Sequence, residues 1–411
     1  MKISKSSPDA HNLFNYEVQA LHYLKLNFND ELKNHISVIE TAFFYANHAI
    51  IILDLLGPSL YEELKRHNFN GFPLKYIQKV FQSILPVLNT LSSFQLIHCD
   101  VKPENILLCH KNDSCNESND NKDSLNTNKN NIHLSKDNDN SSESKSSSLS
   151  SSLILEISPS SDDVQYNVEP QTISGSKVGS YSYALNTKNK NDFQFECNNE
   201  NQKLNNNDND TSLPQNTTQN EIKTTSSYDD ISFKLIDFGS CLFIGDIQDY
   251  IQSRYYRAPE ILLRLPYDSK IDVWSLGCLA VELMLGVPIL PAQTELHLAT
   301  LIERTIGPFP RHMFENSPRS TQIFMPDGKV KPASLLCEEN GEDFATTFKP
   351  YFVKKKLKKI IMSYESNQPG NDLRDREVFV DLVQKMLAVD PEERFSAADA
   401  LNHPFLHMDF H

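Results

Sequence analysis

The chain is 411 residues long, with a net charge of −15 and 7 cysteines. An odd cysteine count without a C-x-x-C pair reads as a reduced, intracellular protein and not as a disulfide framework or a cysteine metal site. No apolar run reaches membrane-spanning length, the opening Met1-Lys2-Ile3-Ser4-Lys5 lacks a signal-peptide core, and no long basic run offers a nucleic-acid surface. The expectation is a soluble monomer with no direct nucleic-acid or membrane partner.

Taken in order, residues 11–26 place Leu13, Tyr16, Ala20, Leu21 and Leu24 at helical spacing, with Glu17 beside the stripe. Between Ile36 and Leu60 lie two β-rich runs, the second of which, Ala49 to Gly57, reads as a buried strand ending at the glycine. Ser59 caps a following helix whose acidic residues sit near its positive end. Residues 74–94 form a long apolar-periodic helix (Ile77, Val80, Phe81, Ile84, Leu88, Leu91) with Pro86 as a possible kink.

That helix delivers the chain to His98-Cys99-Asp100-Val101-Lys102-Pro103-Glu104-Asn105, a loop anchored by Leu96-Ile97 before it and Ile106-Leu107-Leu108 after it. The loop brings a carboxylate, an ammonium and an amide into one small volume. Phosphoryl transfer to a hydroxyl needs such a set: Asp100 to take the proton, Lys102 to offset charge on the moving group, and Asn105 to help hold Mg²⁺.

From 111 to 230 the composition changes. Ser and Asn occupy 46 of these 120 positions, and the 10 basic and 19 acidic residues carry −9 of the net charge. Such a stretch cannot bury enough apolar surface to offset its conformational entropy, so we expect it to be disordered, with at most a strand near Leu153-Ile154-Leu155. Order should resume at Phe233-Lys234-Leu235-Ile236-Asp237-Phe238-Gly239, where Asp237 can bind Mg²⁺ and Gly239 permits the turn that aims it. An apolar helix follows from Asp272 to Leu285, and two more are expected at 376–388 and 396–402. The lysine-rich Lys354 to Lys359 reads as the solvated face of a helix.

The loop at 98–105 resembles the H-R-D-x-K-x-x-N catalytic loop of eukaryotic protein kinases, with Cys99 at the Arg position, and Asp237-Phe238-Gly239 resembles their D-F-G. Asp249 to Glu260 (D-Y-I-Q-S-R-Y-Y-R-A-P-E) is similar to the activation segment of DYRK kinases. Glu303 to Pro310 resembles the tail of the LAMMER signature, although His297-Leu298-Ala299-Thr300 departs from its first half. The resemblance implies a bilobal α+β kinase fold of the CMGC group. Its parts would be a partial small lobe at 1–56, the start of the large lobe at 57–110, an insert at 111–230, and the rest of the large lobe at 231–408.

By the same resemblance, Lys2 is the nucleotide-phosphate lysine and Glu17 its ion-pair partner. Leu53 stands at the gatekeeper position, Asp54 and Leu56 offer backbone groups to adenine, and Leu107 belongs to the same nucleotide site. Tyr250 is an autophosphorylation acceptor, with Arg254 and Arg257, lacking an obvious acidic partner apart from Asp246 and Asp249, as donors to its phosphate. Asp272 should brace the loop at 98–105, and Glu260 should pair with Arg394. The implied cofactors are ATP and Mg²⁺, and the implied substrates are proteins phosphorylated on Ser or Thr, among them splicing or transcription factors, with the nucleus favoured over the cytoplasm. No G-x-G-x-x-G occurs in the chain, from which an incomplete gene model upstream of Met1 is expected. That absence also supports the alternative of a catalytically impaired pseudokinase or scaffold of the same fold.

Overall fold

A computed structural model describes residues 1–110, 231–341 apart from 247 and 249, 352–364 and 372–410. All of these belong to one compact unit. The expected disordered insert at 111–230 and the strand near Leu153 lie outside the described residues.

Strand β1 (Lys2–Ile3) leads into helix α1 (Pro8–Asn27), capped by Ser7, and then the short α2 (Asp30–Lys33). β2 (Ile39–Tyr45) and β3 (His48–Leu53) form a hairpin whose two turn residues, Ala46 and Asn47, both have positive φ (48° and 63°), as a type I′ turn requires. The three strands lie in the order β1-β3-β2, all antiparallel, with Lys2 opposite Ile51. The strand read as running to Gly57 ends at Leu53. Asp54 there turns its carboxylate into a clamp instead of continuing the ladder: it takes Lys234 Nζ at 2.5 Å, the Val38 N–H at 3.1 Å and Ser37 Oγ at 3.3 Å.

Helix α1 corrects the expected stripe. Phe14, Val18, Leu21 and Leu24 are buried, whereas Leu13 and Tyr16 are 46% and 68% exposed. Two overlapping apolar stripes run along this helix, and the one packed inward carries Glu17, itself only 5% exposed. A carboxylate is tolerated on that face because the Lys2 ammonium meets it there.

Next come α3 (Leu60–Arg66) and α4 (Leu74–Ser93). α3 starts in a capping box in which Ser59 and Glu62 satisfy each other's backbone N–H. α4 buries Ile77, Val80, Phe81, Ile84, Leu88 and Leu91 and carries Pro86 inside it. After it, β4 (Leu96–Ile97) pairs with β7 (Leu242–Phe243), and β5 (Ile106–His110) pairs with β6 (Ile231–Leu235). The two short ladders hold the loops at 98–105 and 236–241 side by side. Gly57 crosses β5 so closely that a Cβ there would lie 2.7 Å from the Leu108 carbonyl oxygen, which the Gly57 N–H meets at 3.0 Å.

The remaining described residues are mainly helical. They comprise α5 (Pro259–Leu262), α6 (Lys270–Leu285), α7 (Glu295–Leu301), α8 (Arg311–Asn316), α9 (Ser320–Ile323) and α10 (Ala333–Asn340), then helices at Leu357–Met362, Leu373–Met386 and Ala397–Leu401. α6 is buried on nearly every face, which makes it the central pillar. Lys358 and Lys359 lie exposed on the Leu357–Met362 helix, as expected, but Lys354, Lys355 and Lys356 precede it. Two ties fasten the loops to this scaffold. The Asp272 carboxylate accepts the His98 and Cys99 N–H groups at 2.7 and 2.9 Å. Glu260 and Arg394 form a two-pronged pair at 2.6 and 2.9 Å, with side chains 1% and 0% exposed.

Candidate active site

The site has two clusters. In the first, Lys2 Nζ lies 2.7 Å from both Glu17 oxygens and 2.8 Å from Asp237 Oδ1, so three residues from distant parts of the chain meet at one ammonium. Burial disfavours the Lys2 charge, but Asp237 and Glu17 outweigh it and raise its pKa. Burial raises Glu17 in spite of Lys2. Asp237 also feels burial, yet Lys2 holds it below the usual carboxylate range, so it stays ionised.

The turn that aims Asp237 corrects the sequence reading. Asp237 itself adopts the left-handed conformation (φ 63°). At Gly239 a Cβ would meet Asp237 Oδ1 and Glu17 Oε2 at 3.4 Å, an ordinary contact distance, and what Gly239 gives Asp237 is its backbone N–H, which helps to hold the carboxylate ionised.

In the second cluster, Lys102 Nζ donates to Asp100 Oδ2 at 2.6 Å. Asn105 Nδ2 donates to the Asp100 carbonyl at 2.9 Å and to Oδ2 at 3.1 Å, which leaves the Asn105 amide oxygen as its remaining acceptor. The other Asp100 oxygen, Oδ1, accepts Ser253 Oγ at 2.8 Å, and Lys102 Nζ stands 3.4 Å from the same hydroxyl. Sequence reasoning does not single out Ser253. It is separated from Asp100 by 153 positions, and its only signal is a hydroxyl within Gln252-Ser253-Arg254. A carboxylate held this way, with a hydroxyl already on one oxygen and an ammonium beside it, can take a proton from an approaching hydroxyl.

His98 joins the clusters, a role that its place in the loop does not reveal by itself. Its Nε2–H donates to the Ile236 carbonyl at 3.0 Å, and its Nδ1 accepts the Asp100 N–H at 3.3 Å. That pattern needs the neutral ring, and full burial lowers its pKa in the same direction. Cys99 is buried beside it with φ 68°, its thiol pushed well up by desolvation.

Leu53, Leu56 and Leu107 are half-buried, Leu56 and Leu107 next to the crossing of Gly57 and Leu108, and Asp54 is held by its side-chain clamp. Tyr250 is 59% exposed, with the Arg257 guanidinium carbon 4.1 Å from its ring centre. Hydrogen bonding from Arg257, with a smaller contribution from Arg254, holds its phenol below the usual value. The expectation that Arg257 lacks an acidic partner is wrong: it pairs with Glu295 at 2.7 Å, and its other nitrogens hold the carbonyls of Ile251 and Gln252. Arg254 donates to the Gln293 carbonyl at 2.5 Å, while its buried Nε has no partner.

Among the described residues, no group of three or more His, Cys, Asp or Glu side chains is arranged to hold a metal alone. Asp237 and Asn105 offer hard oxygen donors from two sides, which suits Mg²⁺, an ion that completes its shell with phosphate oxygens and water.

A family model described as protein kinase domain matches residues 215–406. That stretch is similar to protein kinase domains. The serine/threonine-protein kinase AFC1 of Arabidopsis thaliana is 27% identical over 89% of this chain and 56% of its own length. The dual specificity protein kinase YAK1 of Saccharomyces cerevisiae is 26% identical over 95% of this chain and 36% of its own. The homeodomain-interacting protein kinase 2 of Mesocricetus auratus is 26% identical over 99% of this chain and 26% of its own. The chain therefore spans from about a quarter to just over half the length of these relatives. Together they fit a CMGC-group kinase. The kinase domain implies a nucleotide and a divalent metal in general terms. No helix among the described residues is long and apolar enough to cross a membrane.

Proposed function

We propose that the protein is an ATP-dependent kinase that transfers the γ-phosphate to Ser or Thr hydroxyls of protein substrates. The observation that carries this reading is the pair of clusters joined through His98: Lys2 with Glu17 and Asp237 on one side, Asp100 with Lys102 and Ser253 on the other. In this reading residues 1–56 supply the small-lobe part of the fold and 111–230 are an insert in the large lobe.

Asp100 accepts the proton of the substrate hydroxyl and aims its oxygen. Lys102, 2.6 Å from Asp100, offsets negative charge on the transferred group. Lys2, oriented by Glu17, engages the nucleotide phosphates. Leu53, Leu56 and Leu107 hold the adenine ring, and the backbone at Asp54 and Leu56 reads its edge. Asp237 and the Asn105 amide oxygen would hold Mg²⁺, which when bound draws the phosphate oxygens together and neutralises their charge. Tyr250 is a phosphorylation site: a phosphate there would meet Arg254 and the Arg257 guanidinium already stacked on its ring, and charge-assisted bonds would order the segment that receives the substrate. We place the substrates among nuclear regulatory proteins, by the resemblance to LAMMER and DYRK kinases.

The test is phosphate transfer from labelled ATP with Mg²⁺ to a Ser/Thr peptide library, with Tyr250 followed by mass spectrometry. The wild type should label Ser or Thr. Asp100→Asn should reduce the rate by about 10²- to 10⁴-fold while leaving nucleotide binding intact. Bound nucleotide with no transfer would overturn the reading.

A further inference from the structure

We propose that Arg319 is a positioning residue for phosphate transfer, acting on the catalytic loop through Glu295 and Arg257. The inference rests on the kinase reading for its effect on turnover, though not for its geometry.

Glu295, at the start of α7, is gripped from both sides. Its Oε1 takes Arg257 Nη1 at 2.7 Å and its Oε2 takes Arg319 Nη1 at 2.8 Å. With each oxygen committed to a different guanidinium, the carboxylate cannot rotate without breaking a charge-assisted bond. Arg319 is itself pinned. Nη1 also reaches the Leu262 carbonyl at 2.9 Å, and the Arg319 N–H meets Ser317 Oγ, which in turn donates to the Leu263 carbonyl at 2.8 Å. Its side chain is 12% exposed.

From Glu295 the chain of contacts runs inward. Arg257, 2% exposed, donates Nε to the Ile251 carbonyl at 3.0 Å and Nη2 to the Gln252 carbonyl at 2.8 Å. Gln252 is held at φ 64°, a conformation that a non-glycine residue keeps only when its surroundings enforce it. Its side chain is locked too, donating to Ser275 Oγ and the Ile271 carbonyl and accepting the Ala258 N–H. The next residue is Ser253, whose hydroxyl lies on Asp100. Arg319, on a segment with no contact to the reacting groups, thereby bears on the orientation of the proposed base.

Charge sets the order of effects. Neutralising Glu295 leaves two guanidiniums facing each other with no anion between them. Neutralising Arg319 leaves Glu295 with one partner and freedom to turn. Glu295→Gln should therefore be the more damaging change, and adding Arg319→Met to it should cost nothing further, because the second change removes a repulsion. A residue that merely held its own segment together would add its full effect in either background.

The experiment uses the full chain in four forms (wild type, Arg319→Met, Glu295→Gln and the double variant), with Arg319→Lys as the conservative control. Two quantities are read: hydrogen exchange of the 250–256 peptide, and steady-state phosphorylation of a Ser peptide. Arg319→Met should speed exchange and lower kcat/KM for the peptide by about tenfold, with the KM for ATP unchanged. Glu295→Gln should do more, the double variant should do no more than Glu295→Gln, and Arg319→Lys should return both readouts to near wild type. Wild-type exchange in Arg319→Met, or additive losses in the double variant, would overturn the relay. If Arg319→Met fails to fold, Arg319→Gln, which removes the charge and keeps a hydrogen-bond donor, takes its place: faster exchange of the 250–256 peptide than in wild type supports the relay, and wild-type exchange overturns it. Exchange is read whether or not the chain transfers phosphate. Coupled exchange in an inactive wild type would overturn the kinase reading and leave the relay, whereas an active wild type indifferent to Arg319→Met would do the reverse.

Discussion

Lys2 reaches Glu17 and Asp237 from a two-residue outer strand, with 45% of its side chain open to solvent and Asp237 41% open. Asp100 and Lys102 sit 18% and 23% exposed in a loop whose backbone hangs on Asp272, a carboxylate inside the pillar helix α6. The surroundings differ in the same sense. Ile3, Phe43, Phe44 and Tyr45 of the three-stranded sheet are all exposed, whereas α6 is buried along almost its whole length. A cluster carried by a thin, partly open sheet can be separated from its partner at small energetic cost. A cluster rooted in a buried scaffold moves only when the scaffold does. On the proposed function this is a division of labour, with an adjustable side for the nucleotide and a rigid side for the hydroxyl.

The largest effect should come from striking the scaffold. Arg394→Met leaves the Glu260 carboxylate buried without its partner, and breaking such a pair costs about 3–5 kcal/mol. A thermal unfolding scan should show a midpoint many degrees lower, with protection lost around Asp100. An unchanged midpoint would mean that the Glu260–Arg394 pair is not what holds the rigid side in place.

Lys2→Met strikes the adjustable side. It should lower the unfolding midpoint by less than Arg394→Met does, because Asp237 is 41% open to water and the buried Glu17 carboxyl, already pushed up by burial, can take a proton once Lys2 is gone. Phosphate transfer should still fall about 10²- to 10³-fold, by analogy with the loss of other pre-organised donors. A large drop in stability would erase the contrast between the two clusters.

The smallest effect is a titration on the rigid side. Burial, with Arg304 adding to it, lowers the His297 pKa from 6.5 to about 4, and His297 Nδ1 accepts the Gln293 N–H at 3.2 Å. A depressed folded-state pKa means the unfolded chain takes the proton first. The stability this group contributes is complete above pH 6.5 and is lost as the pH falls toward 4. Between pH 7 and pH 5.5 the loss should be about 1 kcal/mol. His297→Gln, which keeps an acceptor, should flatten that part of the curve in chemical denaturation, and a curve of unchanged slope would assign the acid sensitivity elsewhere.

Local spacing makes the Asp100-Lys102-Asn105 loop readable, since residues two and five apart in a tight turn between apolar anchors must share one volume. The same holds for the Ser59–Glu62 cap and the apolar rhythm of α4. Helix α1 is harder to read. Its two apolar stripes are equally periodic, and the inward one is chosen by what Glu17 faces, which no helical period encodes. Gly239 invites a conformational role because it is a glycine at a turn, yet Asp237 makes that turn and Gly239 supplies a backbone N–H to its carboxylate.

By itself, then, the sequence determined the order and chemistry of the local units: which residues form the loops, which helices deliver them, and which side chains carry charge. Beyond the pairs Lys2–Glu17 and Glu260–Arg394 that the family resemblance implied, only the tertiary structure decided which groups meet. Ser253 lies on Asp100, Glu295 divides its oxygens between Arg257 and Arg319, and Lys2 also takes Asp237, 235 positions away. The reason is one of range. A backbone period constrains neighbours a few residues apart, whereas a buried ion needs a counter-ion from wherever packing can supply one, and that is settled only when the whole core has formed.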